Sequence, residues 1–401
     1  MAYTLISFVG IGMYKEGYLQ TTYNFSDNQR ITTHLFLNAL LEAKYRNVSK
    51  IILIGTVTSA WDMLVEVDDD LWIRTCDAKE NNAINNELMM EVQNYLSNKL
   101  NIPVVIKCHT DIIDIETSED LFNLYSSIIP EITDENILLD ITHSFRSMPI
   151  LLYQALQFSI TQNTVIKNVE IVYGEYVESK KLSYVRNLSQ YWKYSQISDA
   201  LNVFKEKLDG YKLANLIQDD WLDGAKVIIK LSDIVQTNFS LQIFDVAKQI
   251  KNVLKKSSDY SPKWLEDVRA FLEEIYKCIT VEPMYNALYN YANFLYERKL
   301  NVQAVITLQV AVEVFIAEIN NNSEMIGNYD WWQDEGRKKL NKIKGKNWKD
   351  IGGPLTNLES FRNQIAHGGG TNKDGNFPQA ANIVNIFKSG KKGVENLFKS
   401  K

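Results

Sequence analysis

The stretch Lys50-Ile51-Ile52-Leu53-Ile54 runs directly into Gly55-Thr56-Val57-Thr58-Ser59, and this junction indicates the fold of the first part of the chain. Consecutive apolar, mostly β-branched residues predict a strand buried on both faces, as in a parallel sheet covered by helices. Small and polar residues after such a strand predict a loop at the carboxyl edge of the sheet, where ligands bind in open α/β folds.

Similar apolar runs recur through the first 180 residues and alternate with longer helix-period segments. We expect strands at Thr4–Val9, Lys50–Ile54, Pro103–Ile106, Ile137–Ile141 and Val169–Tyr173. We expect helices near residues 27–46, 79–100, 117–129 and 146–161. This alternation predicts an α/β, Rossmann-like domain with a parallel sheet over residues 1–184.

Beyond about residue 185, helix-period patterns replace the strand signals. The prolines Pro262 and Pro283 interrupt these patterns and mark helix boundaries. We expect an all-α connector over residues 185–285 and a compact all-α domain over residues 286–401.

The composition is that of a globular protein: 45% of the 401 residues are hydrophobic and 23% are charged. Three widely separated cysteines, without a CxxC motif, predict neither a disulfide framework nor a metal site, and we expect no cofactor. No apolar run is expected to reach the length of a membrane helix, and no secretory signal is expected. We therefore expect a cytoplasmic protein without a membrane partner.

Charge is distributed unevenly along the chain, whose formal net charge is −6. Residues 336–401 carry a formal charge of +10, and the preceding 335 residues carry −16. A basic segment on an acidic body is typical of a protein with one local anionic partner, although a solvated lysine-rich surface gives the same pattern.

The loops after the first two predicted strands are rich in small residues. Gly10-Ile11-Gly12 follows the first strand, but Lys15 stands where a dinucleotide fingerprint needs its third glycine. Thr56, Thr58 and Ser59 follow the second strand, and Trp61 just beyond them either stacks on a ligand or packs beneath the loop. Such loops let backbone N–H groups approach a ligand closely, or form ordinary tight turns.

The fourth predicted strand passes straight into a helix through Asp140-Ile141-Thr142-His143-Ser144-Phe145-Arg146. Ser144 is placed to cap that helix, and Arg146 in its first turn opposes the helix dipole unless an anion binds there. His143 either faces a ligand or is a capping or packed histidine. With the two earlier loops, this cluster predicts a site for a phosphate-rich ligand at one sheet edge.

A second cluster, Arg362-Asn363-Gln364-Ile365-Ala366-His367, lies in the basic segment. Pro354 and the glycines from Gly368 onward predict a helix over 354–367, with Asn363 and His367 on one face and Arg362 on its flank. An arginine that neutralises a phosphate and a titratable histidine that transfers protons suit cleavage of an RNA phosphodiester without metal. The alternative is that His367 only caps helix carbonyls.

In this order, these motifs resemble the CARF–HEPN ancillary ribonucleases of type III CRISPR systems. The segments Phe8–Tyr14, Ile54–Trp61 and Asp140–Pro149 look like the N-terminal CARF domain of that family. Arg362–His367 matches the R-x4-H pattern of its C-terminal HEPN domain. The segment 185–285 has no motif that we can match to the family.

The resemblance implies an endoribonuclease that is activated when a cyclic oligoadenylate, with cyclic tetra-adenylate favoured, binds between two CARF domains of a homodimer. The ring-binding residues would be Gly10, Ile11, Gly12, Thr56, Thr58, Ser59, Trp61, His143, Ser144 and Arg146. Arg362, Asn363 and His367 of both subunits would form one composite site. This site would cleave single-stranded RNA without metal, leaving 2′,3′-cyclic phosphate and 5′-hydroxyl ends, in antiviral defence.

Two other functions are compatible with the sequence. One is a non-catalytic regulator that senses a cyclic nucleotide, which the Arg362/His367 pair disfavours. The other is a ring nuclease that degrades the oligoadenylate in the CARF cleft, where Thr56, Ser59 and His143 offer polar groups.

Overall fold

The computed structural model describes residues 1–12, 18–109, 128–144, 147–161, 165–255, 262–366 and 382–400, together with Glu119, Phe122, Asn123, Ser126 and Gly368. The chain divides into two compact units, Met1–Lys193 and Tyr194–Lys401. The first unit is α/β and the second is helical, which confirms the fold class expected from the sequence.

An eight-stranded sheet forms the centre of the first unit. Its strands are β1 (Tyr3–Val9), β2 (Thr21–Asn24), β3 (Arg30–Thr33), β4 (Val48–Thr56), β5 (Val104–His109), β6 (Asn136–Asp140), β7 (Asn168–Val177) and β8 (Leu182–Asn187). Their spatial order is β3-β2-β8-β7-β6-β1-β4-β5. The five strands expected from the sequence, β1, β4, β5, β6 and β7, pair in parallel, and the pairs β2–β3 and β7–β8 are antiparallel.

Both faces of the central strands are buried. Leu5 and Ile6 point to opposite faces of β1, and both are fully buried, each in a different hydrophobic cluster. Ile51 and Ile52 of β4 repeat the pattern. The continuous apolar runs in the sequence therefore reflect a sheet that is covered on both sides.

Helices α1 (Phe36–Glu42), α2 (Asp62–Val65), α3 (Asp69–Glu80), α4 (Asn86–Leu100) and α5 (Ser147–Thr161) belong to the first unit. The helix expected at 79–100 is divided because the Asn85 side chain accepts the amide of Leu88 and starts α4 there. The helix expected at 27–46 is shorter, since β3 occupies its first part. Most of the helix expected at 117–129 lies outside the described residues.

The second unit consists of helices. They are α6 (Ser189–Lys207, which crosses the division between the units), α7 (Tyr211–Ile217), α8 (Leu222–Thr237), α9 (Ile243–Lys255), α10 (Lys263–Ile279), α11 (Met284–Glu297), α12 (Asn301–Ile319), α13 (Tyr329–Trp331), α14 (Arg337–Lys346), α15 (Gly353–Ala366) and α16 (Ile383–Lys399). Two π-helical turns, Trp332–Gly336 and Trp348–Gly352, precede α14 and α15.

Helix α12 corrects one expectation. By length and composition it is apolar enough to cross a membrane, whereas we expected no such segment. Within the protein, 61% of its most apolar stretch is buried. Leu308, Val312 and Phe315 are fully buried in the core of the second unit, so the helix packs as a core helix.

One hydrophobic core runs through the second unit from Ile197 to Leu397. Helices on both sides of residue 285 contribute to this core. The chain divides into compact units after Lys193 and not near residue 285. The expected boundary after residue 184 falls inside β8, and the division between the units follows Lys193. A separate connector over 185–285 stays a prediction from the sequence.

Gly55 of β4 provides a test of this packing. A Cβ there would lie 2.6 Å from the Trp61 ring and 2.9 Å from the Val9 carbonyl oxygen. We expect Gly55→Ala to lower the free energy of unfolding by about 1–3 kcal/mol through overpacking. Gly345→Ala is the matched control, because a Cβ there meets nothing within 4 Å, and urea unfolding should show no loss of stability. Equal stability of both variants would contradict the close packing at Gly55.

Candidate functional site

The carboxyl ends of β1, β4 and β6 lie at one edge of the sheet, because these strands are parallel neighbours. Thr56 ends β4, and Gly10 and His143 lie just beyond β1 and β6, so all three lie at this edge as the sequence predicted. Beside β1 and β6 the edge opens into a cleft of about 770 Å³, here named the sheet-edge cleft. It is lined by Gly10, Ile11, Gly12, Tyr18, Leu19, Thr21, Tyr23, Thr142, His143, Ser144, Tyr173, Gly174, Tyr176, Glu178 and Ser183.

The expected ligand residues fall into three groups. Those that line the sheet-edge cleft are Gly10, Ile11, Gly12, His143 and Ser144. The residues after β4, which do not line it, are Thr56, Thr58, Ser59 and Trp61. Arg146 lies outside the described residues.

Gly10 allows the loops after β1 and β6 to approach each other. A Cβ at this position would lie 2.9 Å from the carbonyl oxygen of His143. The hydroxyl of Tyr18 donates to the carbonyl oxygen of Gly10 at 2.7 Å, which fixes the same backbone from the other side. Only glycine fits this position without displacing one of the two loops.

The loop after β4 is tied to the end of β1. The Ser59 hydroxyl accepts the amide of Thr56 at 2.9 Å and donates to the carbonyl oxygen of Val9. The amide of Ala60 donates to the carbonyl oxygen of Gly10 at 2.8 Å. Ser59 and Thr56 are buried in these contacts, and Thr58 is the half-buried member of the expected set.

Trp61 does not lie in a cleft, which corrects the expectation that placed it on the ligand. Its side chain is fully buried in the core of the first unit. The indole N–H donates to the carbonyl oxygen of Thr56 at 2.7 Å, so the ring supports the loop from beneath. Of the two roles that the sequence left open, the structure shows the packed one.

His143 lines the sheet-edge cleft and also holds helix α1. Its Nε2 accepts the amide of Phe36, the first residue of α1, at 3.2 Å. Burial lowers the pKa of His143 to about 4, so the ring is neutral and carries its proton on Nδ1. The Tyr18 ring lies 4.2 Å away, centroid to centroid. His143 is therefore a packed histidine, and it also lines the cleft.

Asp140 and Thr142 join three strands below the cleft. The fully buried carboxylate of Asp140 accepts the Ser7 hydroxyl of β1 at 2.6 Å and the amide of Thr142 at 2.8 Å. The Thr142 hydroxyl accepts the amide of Gly174 in β7 at 2.9 Å. Burial raises the pKa of Asp140 above its usual value, and these hydrogen bonds oppose the shift. The Ser144 hydroxyl donates to the carbonyl oxygen of Ile141, and its expected role as a helix cap stays a prediction, because residues 145 and 146 lie outside the described residues.

Sequence reasoning missed the tyrosines of the sheet-edge cleft. Tyr18 and Tyr23 come from the segment before and within β2, and Tyr173 and Tyr176 come from β7. The last two are 36% and 40% exposed. The tyrosines of β7 were the available signal, but β2 has only four residues and β8 lacks a continuous apolar run, so neither strand stands out in the sequence.

In the second unit, Arg362 and Asn363 lie near the C-terminal end of α15. An Arg362 Nη1 hydrogen bond to Asn363 Oδ1, 3.0 Å long, holds the two side chains together. Both line a cleft of about 220 Å³, here named the α15 cleft. The other residues that line it are Leu241, Gln309, Val310, Glu313, Val314, Ala317, Met325, Ile326, Gly327, Asn328, Tyr329, Trp331, Trp332, Gln333, Arg337 and Glu359.

A partly buried ion cluster around Glu359 of α15 lies one turn before this pair. Glu359 accepts Arg337 at 2.7 Å and Lys344 at 3.1 Å, and the Lys344 side chain is only 5% exposed. Burial opposes ionisation, but Lys344 and Arg337 together keep the pKa of Glu359 below its usual value. The cluster joins α14 to α15 beside Arg362.

Glu313 of α12 lies at the floor of the α15 cleft. Burial raises the pKa of its carboxyl group, while a hydrogen bond from Gln309 at 3.3 Å and the charge of Arg362 oppose the shift. Within the described residues, no carboxylate lies within ion-pair distance of Arg362. The described hydrogen bond of the guanidinium goes to the Asn363 amide oxygen, and its charge also acts on the Glu313 carboxyl group.

His367, the third expected catalytic residue, lies outside the described residues. Helix α15 ends at Ala366, close to the end expected from the sequence. The amide of Gly368 then donates to the carbonyl oxygen of Ile365 at 3.1 Å, with a φ of +68° that favours glycine.

Comparison with known proteins matches the first unit to a described domain. Residues 4–187 match the family model of the CARF domain of the CRISPR system endoribonuclease Csx1. The matched range ends with β8, so it covers the whole sheet and the sheet-edge cleft.

A curated relative is similar along nearly the whole chain. It is the CRISPR-associated protein MJ1674 of Methanocaldococcus jannaschii, with 24% identity over 436 aligned positions. The alignment covers 97% of this chain and 66% of that protein, so the chain spans just under two thirds of its relative's length. The domain match identifies residues 4–187 as similar to the CARF domain of Csx1, and nearly the whole chain is similar to a CRISPR-associated protein.

Proposed function

We propose that this protein is an endoribonuclease of CRISPR antiviral defence, acting in the cytoplasm and activated by a cyclic oligoadenylate, with cyclic tetra-adenylate the favoured ring. The observation that carries the proposal is the Arg362–Asn363 pair, which lies in a cleft and whose guanidinium has no carboxylate partner among the described residues. A charge held in this way suits a phosphate group.

The sheet-edge cleft is the proposed sensor. The backbone of the Gly10–Gly12 loop lines this cleft and suits the phosphates of a ring. Tyrosine rings also line it and suit stacking on adenine bases. In a two-fold dimer, two such clefts would face one ring. The match to a CARF domain over residues 4–187 supports this assignment.

The α15 cleft is the proposed catalytic site. Arg362 would stabilise the charge that develops on the phosphate, and His367 would transfer protons to or from the 2′-hydroxyl and the leaving oxygen. Asn363 would orient Arg362 through their hydrogen bond. One arginine and one histidine per chain make a sparse site, and a homodimer supplies the second pair.

The structure disfavours His143 as the base of a ring nuclease. Its Nε2 already accepts the amide of Phe36, and burial lowers the pKa of His143 to about 4. We therefore propose sensing, rather than degradation, as the main role of the first unit.

Replacing His367 with Ala should lower RNA cleavage by about 10²- to 10⁴-fold, because the proton-transfer group is lost. Arg362→Ala should be similarly damaging, through lost stabilisation of transition-state charge. Cleavage of a labelled single-stranded RNA with saturating cyclic tetra-adenylate measures both effects. Ring affinity should stay unchanged in both variants, as titration calorimetry would show.

The products and the metal dependence test the chemistry of the same reaction. We expect 2′,3′-cyclic phosphate and 5′-hydroxyl ends by mass spectrometry, and full activity in EDTA. Ring-stimulated cleavage that persists in His367→Ala and disappears with EDTA would contradict the proposed site.

Arg146→Ala should weaken ring binding by roughly 10- to 100-fold, the loss expected for one charge-assisted phosphate contact. RNA cleavage at saturating ring concentration should also fall, because this contact would contribute to the differential binding that activates the dimer, although the catalytic pair itself is not altered. Arg186→Ala is a suitable control, since that exposed arginine pairs with Glu175 on the sheet surface. Equal ring affinities of Arg146→Ala and wild type would remove Arg146 from the ring site.

A further inference from the structure

The wall of the α15 cleft contains aromatic rings beside the proposed catalytic pair. Tyr329, Trp331 and Trp332 line it together with Arg362 and Asn363. Trp332 is buried in the core, whereas Tyr329 is 68% exposed. The three rings therefore extend from the core to the opening of the cleft, and the outermost one is open to solvent.

The local backbone holds these rings in place. The Asn328 side chain accepts the amide of Trp331 at 3.0 Å and caps the short helix α13. The π-helical turn Trp332–Gly336 then connects α13 to α14. Such turns are often found at functional sites, because they change which side chains share a helix face. Here both Trp331 and Arg337 line the same cleft.

The neighbouring charges favour a nucleic acid over an apolar partner. Six of the ten residues of α14 are Lys or Arg, and the helix has no acidic residue. Glu359 pairs with both Arg337 and Lys344, whereas Lys342 and Lys346 are exposed. The Lys339 ammonium lies 5.8 Å from the centre of a Trp331 ring. The half-buried Trp331 thus lies next to the cationic helix, and the exposed Tyr329 lines the same cleft. Aromatic rings combined with cationic side chains bind single-stranded nucleic acids, with bases stacked and phosphates paired.

We propose that Tyr329 and Trp331 form a stacking subsite for a base of the single-stranded RNA substrate, next to the phosphate bound by Arg362. The lysines of α14 contact the RNA backbone beyond that base. This inference rests on the proposed function, and it adds a substrate-binding subsite to it. Stacking tolerates any base, so the subsite positions RNA without reading its sequence.

The experiment measures binding of a non-cleavable 2′-O-methyl oligoribonucleotide to the full chain by fluorescence anisotropy, with cyclic tetra-adenylate present. We expect Tyr329→Ala to weaken binding by about 5- to 150-fold, the effect of losing one stacked base. Tyr329→Phe keeps the ring and should bind like wild type. Trp348→Ala is the matched control, because this aromatic residue is 61% exposed in the same unit but does not line the cleft.

Steady-state kinetics on cleavable RNA should show the effect on substrate binding separately from any effect on catalysis. In Tyr329→Ala, KM should rise while kcat changes little, because the lost contact binds substrate and touches no reacting atom. Unchanged affinity and KM in Tyr329→Ala would overturn the subsite and leave the proposed ribonuclease standing. Tight binding of the non-cleavable RNA by a wild type that cleaves no RNA would instead support the subsite and reject the ribonuclease.

The same variant distinguishes RNA from a second copy of the chain as the partner of this wall. Light scattering should give Tyr329→Ala the same mass as wild type. A lower mass would show that the ring packs in a protein interface, and would overturn the proposal.

Discussion

The hydroxyl group of Ser59 joins the carboxyl ends of two parallel strands, because it accepts the amide of Thr56 and donates to the carbonyl oxygen of Val9. At Gly10 the absence of a side chain lets the backbone of His143 come close enough to join the third strand end. The sheet-edge cleft depends on these contacts for its shape. Since they form within the protein, these backbone positions at the strand ends are fixed before a ligand binds.

In the second unit, the ion cluster around Glu359 has a comparable role. A buried ion cluster contributes little net stability, since the cost of desolvating its charges offsets their attraction. Its geometry nevertheless fixes α15 against α14 through Arg337 and Lys344. Among the described residues, Glu359 pairs with these two cations and not with Arg362, whose side chain hydrogen-bonds Asn363 one turn later. The stability of this cluster therefore matters less than the contact between α14 and α15 that it makes beside the proposed catalytic pair.

The sequence predicted the parts of the fold that long apolar patterns determine. The strands of the parallel sheet and helix α5 were found within a few residues, because burial on both faces leaves a continuous signal. Strand β3 and the start of α4 were missed, since a four-residue strand and the Asn85 cap are too local for periodicity to detect. The sequence did not determine whether the Trp61 ring faces a ligand or the core, and the structure shows it fully buried in the core. The tyrosines of the cleft come from strands distant in sequence, so only the pairing of β2, β7 and β8 brings them together.

The proposed activation requires a cyclic oligoadenylate to bind one dimer arrangement more tightly than another. The difference in binding free energy that this requires can be bounded. Moving a two-state equilibrium from 1:99 to 99:1 takes about 5.5 kcal/mol of differential binding. A charge-assisted phosphate contact is worth about 1.5–3 kcal/mol, and two-fold symmetry repeats it, which gives about 3–6 kcal/mol. The guanidinium proposed for this contact, that of Arg146, would thus supply most of the coupling free energy. A sensor of this kind needs few polar contacts, provided that they form in only one arrangement of the dimer.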